Sequence, residues 1–114
     1  MSDDQLPLHG TAARFGVAPL PVRRGTRVGI SEAALRGERP LDGLRIEPEG
    51  NLSGWFLWCG EMEDHEDFFV PLHVQHLIER CPIVLPYLEL PPRWRFVLAP
   101  DYEDVWYDPE VGVR

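Results

Sequence analysis

With 114 residues, 44% of them apolar and 26% charged, the chain has the length and composition of one folded domain around a single core. Its net charge of −8 is unevenly distributed: residues 1–54 hold seven acids against seven arginines, and residues 55–114 hold twelve acids against four. A surplus of that sign repels phosphate backbones and anionic membranes, so neither is an expected ligand, and it attracts a basic partner from beyond contact distance.

All 11 of its Lys/Arg positions are arginine, which removes lysine-dependent phosphate binding and Schiff-base chemistry. The opening MSDDQLPLHG has neither a basic segment nor an apolar run of signal-peptide type, and a cytosolic protein is expected. Cys59 and Cys81 are then expected as reduced, small apolar residues and not as a disulfide.

In chain order, residues 1–21 carry Pro7, Pro19 and Pro21 with little periodicity and read as an irregular N-terminal arm. Residues 22–114 form the domain proper. In TRVGI (26–30), Thr26, Val28 and Ile30 alternate with Arg27 and Gly29, the pattern of a strand with one wet face. Ser31 is placed to cap a single helical turn ending at Gly37. The next strand, LRIE, points Leu44 and Ile46 one way and Arg45 and Glu47 the other, and PEGNLSG (48–54) is a turn by composition. GWFLWCG sets Trp55, Leu57 and Cys59 against Phe56 and Trp58; apolar on both faces, it is expected to be central and covered twice.

PLHVQHLIER predicts a helix over about 71–80, with Pro71 at its first position and Val74, Leu77 and Ile78 as its buried stripe. Pro82 ends it near Arg80, and a second short helix over about 82–88 packs Ile83, Leu85 and Leu88. WRFVLA and DVWYD close the chain as two strands joined through PDYE, with either Val105 or Trp106 opposite Phe96. The expected fold is α+β: a mainly antiparallel sheet of about five strands with the two helices on one side.

The stretch EMEDHED (61–67) bears five carboxylates and a histidine between aromatic segments. His65, His73 and His76 could hold a metal in a small enzyme, but no pair has the spacing of a zinc motif, and no serine or cysteine sits in a nucleophile motif. No catalysis, no metal and no other cofactor is therefore expected. A second acidic stretch, DYEDVWYD (101–108), shares with the first the mixture of carboxylates and aromatics that suits a surface for a basic cleft of another protein. The candidate partner-binding residues are Glu61, Glu63, Asp64, Glu66 and Asp67 in the first, and Asp101, Tyr102, Glu103 and Asp104 in the second.

SGW at 53–55, the acidic stretch after it, PLHVQHLIERCPIVLPYL at 71–88, and PPRWRF with DYEDVW at 91–106 resemble immunity family thirty-three, small bacterial proteins of polymorphic-toxin loci also catalogued as a domain of unknown function. The likeness covers about residues 26–108. It implies a cytosolic α+β antidote that binds a cognate toxin and blocks its active site without catalysis; with the acidic stretches above, that toxin is expected to be basic at its active site. It supplies no binding residues to carry over. Outside the family, the residues are compatible with a structural or regulatory interaction domain unrelated to toxins.

Overall fold

The computed structural model describes residues 4–63, 65 and 67–112. They form an α+β fold built on one six-stranded sheet: β1 (Arg27–Ser31), β2 (Leu41–Arg45), β3 (Leu52–Cys59), β4 (Phe69–His73), β5 (Trp94–Ala99) and β6 (Tyr102–Tyr107). The strand order is β4-β1-β3-β2-β5-β6. Every neighbouring pair is antiparallel except β1 with β3, which run parallel, so the sheet has one strand more than expected and is mostly antiparallel.

The extra strand comes from the segment expected as a helix. Residues 69–73 pair with β1, Pro71 lying opposite Gly29, and helical structure starts only at the 3-10 turn Val74–His76. Proline is tolerated there because β4 is an edge strand, where a missing N–H removes no obligatory ladder bond. The α-helix that follows is one turn, Leu77–Arg80, and a 3-10 helix spans Pro82–Tyr87. Val74 and Leu77 are buried as expected, but Ile78 is 47% exposed and Ile83 39%, because such short turns present a narrower buried stripe than a continuous helix.

Further upstream the helices are α1 (Thr11–Arg14) and α2 (Glu32–Leu35), so Leu77–Arg80 is α3. Ser31 caps α2 as expected, its hydroxyl accepting from the Ala34 N–H at 3.2 Å, and Gly37 takes the left-handed conformation after it. The helical elements share one side of the sheet with the core, where Val28, Ile30, Leu41, Trp55, Leu57, Phe96 and Leu98 from the strands meet Val74, Leu77, Val84, Leu88 and Leu90. Phe96 stands opposite Val105, which resolves the register of the closing hairpin.

Two facings differ from expectation. On β2 it is Arg45, not Leu44, that points into the core: Arg45 is 1% exposed. Its guanidinium is accommodated by backbone carbonyls alone, Nε donating to Ser53 O at 3.0 Å and Nη1 to Leu20 O at 2.5 Å, Leu90 O at 2.9 Å and Leu88 O at 3.2 Å. Burial lowers its pKa to about 10. On β3, Trp55 and Leu57 do face the helices, but no helix among the described residues covers Phe56 and Trp58 on the other side. Trp58 is nevertheless only 5% exposed, since Phe69 packs edge-on at 6.2 Å and the Arg95 guanidinium lies 5.9 Å from its ring.

The N-terminal arm is bound to the domain. Glu89, 4% exposed, accepts from the N–H groups of His9 and Ala12 and so satisfies the start of α1, while the Leu20 N–H donates to Glu89 O at 2.8 Å. Leu6, Thr11, Ala12 and Val22 are buried in consequence.

Candidate protein-binding surface

The register places the ends of β1, β3 and β5 beside the starts of β4, β2 and β6. Ser31 is opposite Phe69, Cys59 opposite Leu41, Leu41 opposite Leu98, and Leu98 opposite Glu103. Both acidic stretches therefore emerge at the same end of the sheet. Gly60 follows β3 and Phe68 precedes β4, the two strands that flank β1. The turn between β5 and β6 lies two to three strands further on from β3, about 10–14 Å at ordinary strand spacing.

Within this end, Glu61, Glu63 and Asp67 are exposed, and Asp64 and Glu66 lie outside the described residues. Glu63 Oε1 is 3.0 Å from His65 Nε2, and the His65 ring meets Phe68 edge-on at 5.9 Å. Phe68 in turn packs on Phe69 at 4.8 Å, which ties the acidic loop to the sheet. Asp101 occupies the turn with φ 59°, and Tyr102 is 55% exposed. Asp104 is exposed opposite Val97 on the helix-free face.

Glu103 points the other way. Its carboxylate accepts from Arg14 Nη2 at 2.7 Å and from the Tyr87 hydroxyl, joining α1, the 3-10 helix and β6. The bonds from Arg14 and Tyr87 hold the Glu103 carboxyl below its usual range. Burial, then the Glu103 bond and charge, push Tyr87 up to about 12. The neutral phenol is thus the form the fold prefers. Tyr87 has a folded pKa above its unfolded value of 10, so its contribution to stability is fully present below pH 10 and is lost as pH rises through about 12. Absorbance titration of phenolate is expected to show that Tyr87→Phe removes a transition near pH 12 and that Glu103→Gln moves it down. An unchanged high-pH transition in Tyr87→Phe would mean that another group produces it.

The reading of the acidic stretches overlooked the face to which Asp104 belongs. Phe69, Phe56, Leu44, Trp58, Val97 and Trp106 project from the side of the sheet opposite the helices. Arg95 lies among them, its guanidinium carbon 5.1 Å from the Trp106 ring and 5.9 Å from the Trp58 ring, with Nη1 3.2 Å from Asp108 Oδ2. Its Nε is enclosed without an acceptor among the described residues. Asp42, on the same face, has its pKa raised by burial against the opposing pull of Arg95. The sequence signal for this face was present in the wet partners of β3, namely Arg27 and Gly29 on β1 and Asp42 on β2, which suit an open side better than a helix layer.

His73 and His76 bring their rings within 6.0 Å. Among the described residues no three His, Cys, Asp or Glu side chains converge as a metal-binding group. No helix among them is long and apolar enough to cross a membrane.

A family model described as the Imm33-like domain matches residues 9–108. The chain belongs to the Imm33-like family. No curated protein and no solved structure matches it. The Imm33-like match takes in all six strands and both acidic stretches, and it starts well before residue 26, so α1 and its attachment to Glu89 fall inside the domain that the family defines.

Proposed function

We propose that this Imm33-like protein is an immunity protein: it binds a cognate bacterial toxin in the cytosol and holds it inactive by tight association, without chemistry of its own. The observation that carries this reading is the family match over residues 9–108. The acidic end of the sheet supports it, because carboxylates displayed together at one end provide a field that steers a basic active site toward the protein. On this reading Glu61, Glu63 and Asp67 accelerate encounter, with Asp101, Tyr102 and Asp104 on the far side of the same end. Glu103 contributes mainly by fixing the hairpin through Arg14 and Tyr87.

Capture of the partner from the native bacterium, with mass spectrometry and an assay of toxin inhibition by the purified protein, tests the reading directly. A partner with no toxic activity in cells lacking this protein would sink it. With the toxin in hand, the triple change Glu61→Gln, Glu63→Gln and Asp67→Asn is expected to slow association about tenfold at low salt. The difference should shrink near about 0.5 M salt, where charges are screened within about 4 Å. Stopped-flow binding gives both numbers; equal association rates at low salt would remove the acidic loop from the steering surface.

A further inference from the structure

The helix-free face contains a groove of about 280 Å³. Phe56, Phe69 and Pro71 line it with Gly29, and Ile46 and Leu52 add apolar surface. Three exposed charged residues border it: Glu47 and Glu49 from the β2–β3 connection, and Arg27 from the start of β1. Two glycines shape it. A Cβ at Gly29 would stand 2.9 Å from a Phe56 ring carbon and 3.3 Å from Phe69 Cβ, so the absence of a side chain lets these rings settle over β1. At Gly54, φ is +93° and a Cβ would be 2.1 Å from Ile46 O, so only glycine lets the connection bearing Glu47 and Glu49 close against β3.

An aromatic lining beside two carboxylates selects a particular kind of guest. A neutral apolar side chain would gain the rings but draw nothing from the charge of the two glutamates at the border. An acidic one would be repelled. An arginine side chain satisfies both: its methylene stem lies on apolar surface, its guanidinium plane stacks on a ring, and its fork of N–H donors matches carboxylate geometry. The same face already contains this arrangement once, in Arg95 with Trp58, Trp106 and Asp108. In the groove the rings and carboxylates recur, while Arg27 is exposed and makes no ion pair among the described residues. Nearby, Arg93 is held by its bond to Pro109 O at 3.0 Å.

We propose that this groove is a receptor for an arginine side chain of a partner protein, anchoring on the open sheet face what the acidic end steers in. That the partner is a toxin rests on the immunity reading; the side-chain preference does not. The volume of about 280 Å³ accommodates one or two large side chains, as an anchor residue requires.

The test uses the full chain and two small probes, N-acetyl-arginine methylamide and N-acetyl-norleucine methylamide, followed by backbone amide NMR. The arginine probe is expected to shift Gly29, Gly54 and Phe56 along a saturable curve with an affinity on the order of 1 mM or weaker, as one side chain can supply. The norleucine probe should bind at least about fivefold more weakly, a difference of roughly 1 kcal/mol. Glu47→Gln with Glu49→Gln, both at exposed positions, should abolish the difference between the probes, and Arg27→Gln should strengthen the arginine probe. No saturable shift at these three residues, or equal binding of both probes to the unaltered protein, overturns the proposal. With a toxin in hand, the same double variant is expected to lose about tenfold or more in affinity. Undiminished affinity in a protein that still neutralises the toxin overturns the groove and leaves the immunity reading standing. Selective binding of the arginine probe by a protein that neutralises no toxin supports the groove and removes that reading.

Discussion

Trp55→Ala is expected to lower the free energy of unfolding by about 3–5 kcal/mol, the range for deleting a large aromatic side chain from a packed core. The ring is 1% exposed, 5.4 Å from Phe96 between centroids, and lies beneath the Arg45 guanidinium at 5.7 Å. Its indole N–H donates to Leu88 O at 2.9 Å, so the truncation also leaves a buried carbonyl without that donor. Trp55→Phe separates the two contributions: it keeps most of the packing and should cost about 1–3 kcal/mol, for the smaller ring and for the loss of the shorter of the two bonds to Leu88 O, which keeps its bond from Arg45 Nη1. Urea denaturation followed by circular dichroism measures both. A loss below about 1 kcal/mol for the alanine variant would contradict the placement of Trp55 in the core.

Arg45→Met should be nearly as damaging, for a different reason. The substitution keeps an unbranched apolar stem of similar length and removes only the guanidinium, which forms no ion pair among the described residues but serves four carbonyls from three segments of the chain. Removing a buried charge also removes its desolvation cost, which offsets part of the damage, yet the carbonyls of Leu20, Ser53, Leu88 and Leu90 cannot be removed with it. A net loss of about 3 kcal/mol is expected, in line with deleting one member of a buried charged network. The location of the damage is the sharper prediction. Leu20 belongs to the arm, so limited trypsin digestion should cut after Arg14 faster in Arg45→Met than in Trp55→Ala compared at equal global stability. Equal cleavage rates would mean that Arg45 does not secure the arm.

Much of the fold was legible because its signals are local. Ser31 and Gly37 bracket a helical turn through their own backbone chemistry, and Val28, Ile30, Trp55 and Leu57 show their inward face by alternation. Residues 69–73 were misread because proline before an apolar helical stripe is also what an edge strand can contain, and only the long-range pairing with β1 separates the two. Arg45 was misread because no local pattern announces that four carbonyls will converge on one side chain. The acidic stretches were visible as composition, and their arrival at one end of the sheet follows from a register that no single strand specifies. The aromatic face was hidden by the opposite assumption, that a strand apolar on both sides must be covered on both.

The parallel pairing of β1 with β3 has a consequence for how the chain assembles. β1 lies between β3 and β4, and both of its neighbours follow it in the sequence: Arg27 meets Leu52 on one side and His73 on the other. As the polypeptide leaves the ribosome amino-terminus first, β1 has no edge to join until residues 52–59 are out, and its second edge remains open until residue 73. The β2–β3 and β5–β6 hairpins close over short loops, whereas β1 must be inserted across larger ones, a slower event because the chain entropy is lost before the contacts form. The sheet thus grows outward from the β2–β3 pair on both sides, and the apolar Val28 and Ile30 wait without a strand partner until β3 and then β4 have been made.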